Sequence, residues 1–248
     1  MGVPFLELLN ISKSFGTIKA LDRVSIKVNH GEVLAIVGDN AAGKSTLLKI
    51  ISGVYYPDAG EILIDGVKTR FKKPLDARRI GIETIYQDFM LAPNLDITKN
   101  IFLGNERTRR FGLLDKRSMD KRTVEGLSGL INDLKFLNLR TLVNTLSGGQ
   151  QQMVAIGRAL LFNPKLVLMD EPTASLSMVA INKCIELVLK LKKSGVSVIY
   201  ISHRLTDVLT LADRILVLKI GQVVAETKPE NTSIDDLVRI MVGMKKEE

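Results

Sequence analysis

The sequence of 248 residues lacks or nearly lacks several residue types that often carry chemistry. It has no tryptophan, one cysteine and two histidines. A single cysteine excludes an intrachain disulfide and a zinc site built from several cysteines. Cys184 lies in INKCIELVLKLKK, where apolar residues recur at helical spacing, so the pattern predicts a core or interface position.

Long apolar runs are also missing. No run approaches the ~18 consecutive apolar residues of a transmembrane helix, and the start MGVPFLELLN lacks the layout of a signal peptide. These absences predict a cytoplasmic protein. The composition, 46% hydrophobic and 25% charged, is that of a globular chain, and the length suits one α/β domain with at most an inserted subdomain.

Positive charge is in excess, and the net charge is +8. Basic residues concentrate in Lys68–Arg79 and Arg107–Arg122, which would be compatible with nucleic acid or an anionic membrane surface. Neither stretch interleaves aromatic residues as a base-stacking platform does, so no nucleic-acid partner is expected. Both are predicted to be solvated faces, and a specific binding patch is the alternative for each.

Short apolar runs alternate with helical patterns along much of the chain. Strands are predicted at Val33–Val37, Leu166–Met169, Val196–Ile201 and Ile215–Leu218, and helices at Lys44–Ser52, Gln150–Leu161 and Val179–Lys193. Continuous apolar strands that alternate with helices predict an α/β fold with a parallel sheet covered on both faces. Ligands then bind beyond the carboxyl ends of the strands.

Two regions depart from this alternation. The first ~30 residues and Gly60–Arg70 alternate apolar and polar residues around tight turns such as Asp65-Gly66, which predicts an antiparallel edge sheet. Residues 90–155 have few strand signals, which predicts an inserted α-helical subdomain. The chain is thus interpreted as one domain over 1–248, with the parallel core and β subdomain at 1–89 and 156–248.

A phosphate-binding loop follows the first predicted core strand. GDNAAGKST fits G-x-x-x-x-G-K-[ST], and its backbone N–H groups and the next helix would converge on phosphate oxygens. Lys44 would reach the β- and γ-phosphates of ATP, and the Ser45 hydroxyl would bind Mg²⁺. A fortuitous glycine-rich turn would not also be placed between a strand and a helix. The predicted nucleotide-binding residues here are Gly38, Asp39, Asn40, Ala41, Ala42, Gly43, Lys44, Ser45 and Thr46.

Carboxylates and a histidine follow two later strands. Asp170 and Glu171 end one apolar strand, and His203 follows another, so all three should meet at the ligand edge of the sheet. Asp170 would hold Mg²⁺, Glu171 would act as general base on the attacking water, and His203 would contact the γ-phosphate. Taken singly, an ordinary strand terminus and a structural histidine are the alternatives.

Further motifs carry a resemblance to a known family. The sequence LSGGQQQ at 146–152 precedes Asp170 by 24 residues from Leu146, and IETIYQD precedes it in turn. With the phosphate loop, these motifs resemble ABC transporter ATPases, which are P-loop NTPases of the RecA-like class. The resemblance implies that Gln87 contacts the magnesium and the attacking water and that Phe15 stacks on adenine. It also implies that the signature, Ser147, Gly148, Gly149 and Gln150, binds the nucleotide of a second cassette.

A more specific resemblance extends over nearly the whole chain. IETIYQDFMLAPNLDITKNIFLG and ISHRLTDVLTLADRILVLKIGQVVAE look like cassettes of bacterial simple-sugar importers of the ribose, xylose and fructose type. That likeness implies ATP-driven import of a monosaccharide, membrane-spanning permease subunits, and a second, identical cassette. A periplasmic or extracellular sugar-binding protein would be an indirect partner. The same likeness implies that the chain lies at the inner face of the cell membrane.

Two positions depart from the family pattern. Ala41 stands where glycine is common, and Ser177 in EPTASLS stands where many cassettes have aspartate. Neither change removes a catalytic group, so an active ATPase is expected, but a weakly hydrolysing nucleotide-binding regulator is an alternative. A soluble ABC-type ATPase of translation or DNA metabolism is another, although the chain has neither tandem cassettes nor long coiled coils.

Overall fold

The computed structural model describes residues 2–86, 90–127, 138–174 and 177–243. Within these ranges the strands are Leu6–Phe15 (β1), Ile18–Val28 (β2), Val33–Val37 (β3), Ala59–Ile64 (β4), Val67–Thr69 (β5), Ile82–Ile85 (β6), Leu166–Asp170 (β7), Ser197–Ile201 (β8), Arg214–Lys219 (β9) and Gln222–Thr227 (β10). The α-helices are Lys44–Ile51 (α1), Pro74–Ile80 (α2), Ile97–Phe102 (α3), Lys116–Leu127 (α4), Gly148–Leu160 (α5), Met178–Lys193 (α6), Leu205–Leu211 (α7) and Ile234–Val242 (α8).

The central sheet has six strands in the order β10-β9-β3-β8-β7-β6. All neighbours are parallel except β10, which pairs antiparallel with β9. Every residue of β3 and β8 is buried, as their unbroken apolar sequences require in a sheet covered on both faces. The four predicted core strands are confirmed. Strand β6 was not predicted, because Glu83 and Thr84 interrupt its short apolar run.

The two faces of the central sheet carry different layers. One face packs against α1 and a second sheet in the order β2-β1-β4-β5, in a cluster that includes Phe5, Leu47 and Leu168. The opposite face packs against α5, α6, α7 and α8 through residues such as Ile156 and Val188. Cys184 of α6 is fully buried, as predicted, and burial raises the pKa of its thiol to about 12.

The second sheet is antiparallel throughout, which confirms the predicted edge sheet. Its β4–β5 hairpin turns at Asp65 and Gly66, whose φ angles are 48° and 77°. Positive φ at both central residues is the geometry of a type I′ turn, for which Asp-Gly is a favoured pair. The turn fixes the register in which Ile64 pairs with Val67.

The region from residue 90 to α5 is mainly helical and has its own apolar cluster, which includes Ile101, Phe102, Met119 and Val154. Helix α5 contributes Val154 to this cluster and Ile156 to the sheet cluster. The predicted boundary at residue 155 therefore falls inside a helix that both units share, and the division into subdomains stays a prediction. Among the described residues, the helices are all too short or too polar to cross a bilayer.

Leu168 offers a test of the central sheet, because its side chain is fully buried in β7. We expect Leu168→Ala to lower the free energy of unfolding by about 2–5 kcal/mol, since it leaves a cavity in a close-packed layer. Urea denaturation followed by circular dichroism would measure this. Leu113→Ala makes the same change at a side chain that is 68% exposed and should change stability little. Equal losses for both variants would contradict the assigned core.

Candidate nucleotide-binding and hydrolysis site

The phosphate loop connects β3 to α1 and is held against neighbouring strands. A Cβ atom on Gly38 would lie 2.1 Å from the carbonyl oxygen of Leu218, and one on Gly43 would lie 2.6 Å from that of Ala20. Both glycines also have positive φ, 155° and 105°. No other residue fits such contacts without moving the backbone, so the two glycines fix the path of the loop.

Lys44 begins α1 and is buried inside the loop that precedes it. Its Nζ donates hydrogen bonds to the carbonyl oxygens of Gly38, at 2.7 Å, and Asp39, at 2.9 Å. Burial lowers the pKa of the ammonium, while Glu171 and Asp170 favour its charged form. The ammonium group is thus positioned among the loop carbonyls and carboxylates, where an incoming phosphate would meet it.

Ala41 adopts the backbone conformation in which glycine is favoured. Its φ is 66°, in the left-handed region, which costs a residue with a Cβ about 1–2 kcal/mol. The two residues before it, Asp39 and Asn40, are exposed, and the residue after it, Ala42, is buried. Ala41, which stands where the family commonly has glycine, is therefore a strained residue within the loop.

Asp170 and Glu171 lie at the carboxyl end of β7, where the sheet meets the phosphate loop. Burial raises the pKa of the Asp170 carboxyl, while the Ser45 hydroxyl and the Lys44 ammonium oppose that rise. Two oxygen donors, one a carboxylate, fit the preference of Mg²⁺, which takes its remaining ligands from phosphates and water. No group of three or more His, Cys, Asp or Glu side chains that could hold a metal exists in the described ranges.

Glu171 and His203 meet across the ends of β7 and β8. The Nε2 atom of His203 lies 2.7 Å from Oε1 of Glu171, and both side chains are partly exposed. Glu171 itself has φ 49°, and its N–H donates to the carbonyl oxygen of Ile201 at 2.9 Å. The left-handed turn directs the chain away from the strand immediately after Asp170, so successive carboxylates occupy different places at the edge.

A polar network that the sequence did not reveal lies behind this pair. Thr173 Oγ1 donates to Asp207 Oδ2 at 3.1 Å, and Arg204 Nε donates to the same oxygen at 3.1 Å. Thr173 and Asp207 are buried. The segment after Glu171 is thus joined to the segment after His203. No motif indicated this network, because Thr173 and Asp207 lie 34 residues apart in the sequence.

Gln152 adds a second contact that was missed. Its side chain is fully buried in α5, and Nε2 donates a hydrogen bond to the carbonyl oxygen of Pro172. Pro172 follows Glu171 directly, so the signature helix contacts the backbone beside the predicted general base. The only signal was a glutamine on the apolar face of a predicted helix.

The signature residues open α5. Ser147 and Gln150 form a reciprocal capping box, in which the Ser147 N–H donates to Gln150 Oε1 at 3.0 Å. A Cβ on Gly148 would meet nothing within 4 Å, and one on Gly149 would only touch Ala180 Cβ at 3.7 Å. The fold of the described chain therefore does not require glycine at either position.

The remaining predicted site residues are placed as follows. Phe15 ends β1, is 44% exposed, and packs edge-on against Tyr55 with 5.2 Å between ring centroids. Ser177 caps α6 by accepting from the Ala180 N–H at 3.4 Å. Thr46 lies half-buried in the first turn of α1. Gln87 lies outside the described residues.

A strand, phosphate loop and helix beside paired carboxylates define a P-loop protein that hydrolyses nucleotides. Comparison with known families agrees, because residues 21–174 match the model of the ABC transporter family. The chain belongs to that family and is an ATP-binding cassette ATPase.

The curated relatives are named as import proteins. The chain is 47% identical to the xylose/arabinose import ATP-binding protein XylG of Sulfolobus acidocaldarius, over 96% of this chain and 94% of the relative. It is 45% identical to the ribose import ATP-binding protein RbsA of Yersinia pestis, over 97% of this chain and 47% of the relative. The fructose import ATP-binding protein FrcA of Rhizobium meliloti is 40% identical, with 98% and 95% covered. The chain thus spans about half of the ribose protein and nearly all of the other two.

Solved structures show the same fold. A nucleotide-free ATP-binding cassette from an ABC transporter has a TM-score of 0.83 and 30% identity, with 98% of this chain and 96% of that chain covered. A dimeric cassette in a post-hydrolysis state, bound to ADP and phosphate, has a TM-score of 0.77 and 33% identity, with 90% and 98% covered. The predicted P-loop NTPase fold is confirmed.

The strain at Ala41 leads to a stability prediction. We expect Ala41→Gly to raise the free energy of unfolding by about 1 kcal/mol, because glycine has no Cβ to resist the positive φ. Thermal unfolding monitored by circular dichroism would measure the change. Ala42→Gly is the matched control, since Ala42 is buried without a positive φ and should lose stability. A loss for Ala41→Gly as large as that of the control would contradict the assigned strain.

Proposed function

We propose that this chain powers the import of a monosaccharide by hydrolysing ATP at the site formed by the phosphate loop, Asp170, Glu171 and His203. The observation that carries the catalytic part is the 2.7 Å contact between Glu171 and His203, at the sheet edge where Asp170 ends β7. The site combines a phosphate cradle, oxygen donors for a cation and a positioned base. These are the parts that phosphoryl transfer to water requires.

The nucleotide would bind first through the loop. Backbone N–H groups of residues 38–46 and the Lys44 ammonium would contact the phosphates, and Phe15 would stack on the adenine. Ser45 and Asp170 would hold Mg²⁺, which supplies charge neutralisation for the β- and γ-phosphates when it is bound. We assign Gln87 a contact to the attacking water and the cation on the basis of family resemblance alone.

Glu171 would act as the general base. Its carboxylate would accept a proton from the attacking water as oxygen bonds to the γ-phosphorus, and the bond from that phosphorus to the β-phosphate oxygen of ADP would break. His203, as the hydrogen-bond donor at 2.7 Å, would keep the carboxylate oriented and would be close enough to contact the γ-phosphate. The network through Thr173 and Asp207 would hold the two segments in this arrangement.

A second cassette would complete the site. Ser147, Gly148, Gly149 and Gln150 form a helix start with open space where glycine side chains would lie, which suits close approach of a phosphate from outside the chain. One solved relative is described as dimeric and bound to ADP and phosphate. Single-cassette relatives match this chain along nearly their full lengths, so we propose a homodimer.

The transport assignment rests on the relatives. Their names specify import of xylose or arabinose, ribose and fructose, which are all monosaccharides. We propose membrane-spanning permease subunits as direct partners, an extracellular or periplasmic sugar-binding protein as an indirect one, and a location at the inner face of the membrane. A cavity of about 370 Å³, lined by residues that include Arg78, Glu83, Tyr86 and Met90, is a candidate contact for the permease. The comparisons do not favour a role in translation or DNA metabolism.

Replacing the base tests the catalytic proposal. We expect Glu171→Gln to lower Mg²⁺-dependent ATP hydrolysis about 10²–10⁴-fold, because an amide cannot accept the proton from water. Light scattering should show that this variant accumulates as a dimer in ATP. Glu186→Gln makes the same change on the exposed face of α6 and should leave both properties unchanged. Hydrolysis by Glu171→Gln at the wild-type rate would exclude Glu171 as the base.

Replacing His203 tests the orientation of Glu171. We expect His203→Ala to lower kcat about 10²-fold, because a displaced catalytic group loses much of its effect. Its KM for ATP should change much less, since the loop supplies most nucleotide contacts. His30→Ala is the matched control, because His30 pairs with Asp65 in the β4–β5 turn and not with a residue of the site. A rise in KM with kcat unchanged would instead make His203 a nucleotide-binding residue only.

A further inference from the structure

Part of one basic stretch folds into a hairpin between α3 and α4. We call residues 107–117 the basic tip; it consists of this hairpin and the first two residues of α4. The Arg109 N–H donates to the carbonyl oxygen of Leu113 at 2.7 Å, and the Asp115 N–H donates to that of Arg107 at 2.7 Å. A bridge between Thr108 and Leu114 and a 2.8 Å ion pair between Arg109 and Asp115 close the hairpin. All residues from 106 to 114 are exposed.

The end of the basic tip is apolar. Phe111 is 91% exposed and Leu113 is 68% exposed, the first being the most exposed large apolar side chain among the described residues. Phe111 also has φ 70° and ψ 20°, a left-handed conformation that costs a residue with a Cβ free energy. Because the ring is almost fully exposed, burial of apolar surface does not offset this cost. An external contact would account for it.

The surroundings of the ring are strongly cationic. Between residues 103 and 122 there are seven basic and three acidic residues. Asp115 is engaged by Arg109, and Asp120 by Arg140 and Thr98. Arg110, Lys116 and Arg117 are exposed and form no ion pair with any described residue, and the Arg110 guanidinium lies 5.9 Å from the Phe111 ring centroid. The tip therefore combines apolar side chains with uncompensated positive charge.

We propose that the basic tip binds an anionic lipid surface. Phe111 and Leu113 would enter the boundary between headgroups and acyl chains, while Arg110, Lys116 and Arg117 would contact lipid phosphates. Aromatic rings and the long side chains of arginine and lysine are both suited to that boundary. The exposed, positively charged tip is complementary in charge to an anionic surface. This proposal goes beyond the transport function, because lipid binding requires neither nucleotide nor permease.

Vesicle binding by the full chain tests the proposal directly. We expect the protein without nucleotide to sediment with phosphatidylcholine vesicles that contain phosphatidylglycerol and to remain in solution with phosphatidylcholine alone. Arg110→Gln and Arg117→Gln should each weaken binding about fivefold, because each basic residue near an anionic surface contributes about that factor. Phe111→Ser should weaken it about tenfold through lost apolar contact. Salt near 1 M, where the Debye length is about 3 Å, should release the protein.

Matched controls are available elsewhere on the surface. Arg79→Gln removes an exposed charge from the other basic stretch, and Ile220→Ser removes an apolar side chain that is 79% exposed. Both should bind vesicles as the unaltered protein does. ATP hydrolysis in solution should stay unchanged for Phe111→Ser, so loss of vesicle binding would be distinguishable from loss of the catalytic site.

A fluorescence measurement gives an independent readout, because the chain has no tryptophan. We expect the emission of Phe111→Trp to shift to shorter wavelength with anionic vesicles, and that of Ile220→Trp to stay unchanged. Absence of vesicle binding, or binding that the tip variants do not weaken, would overturn the proposal. If the tip variants impaired only transport in the reconstituted complex with the permease, the tip would be a protein contact and the lipid proposal would be wrong.

Discussion

The register of three parallel strands determines where the chemistry can occur. Ile201 at the end of β8 pairs with Asp170 of β7 on one side and with Ile36 of β3 on the other. The three strands therefore end at one level, and whatever follows each of them lies at one edge. The phosphate loop follows β3, Glu171 follows β7 and His203 follows β8. A shift of one residue in any pairing would separate these groups and turn buried side chains toward the wrong face.

Backbone strain accumulates at this edge. Ala41 and Glu171 both have positive φ, and so do the glycines at the two ends of the phosphate loop. Each strained non-glycine residue costs free energy that the buried sheet must offset. At Glu171 the positive φ follows directly after the end of β7, and the Glu171 carboxylate contacts His203. No comparable contact explains the positive φ of Ala41.

Much of the fold and the site could be predicted from the sequence because the determining signals are local. Unbroken apolar runs marked β3, β7 and β8, and the phosphate loop is recognisable from consecutive residues. Strand β6 was missed because two of its four residues, Glu83 and Thr84, are polar. The contact from Gln152 to Pro172 was missed because it depends on how α5 packs. The basic stretch Arg107–Arg122 was predicted to be a solvated face, with a specific binding patch as the alternative. Its charge was visible in the sequence, whereas the hairpin that exposes Phe111 was not.

The open space around Gly148 and Gly149 has a consequence for how variation at the signature is tolerated. An added methyl group would meet nothing within 4 Å at Gly148 and only an ordinary contact with Ala180 at Gly149, so alanine at either position would leave the isolated chain folded. The higher helix propensity of alanine would even favour α5. Stability therefore places almost no selective filter on these two positions. Selection at these positions would come from the proposed contact with the nucleotide of a second cassette. A search for damaging substitutions that scores folding alone will therefore pass over them.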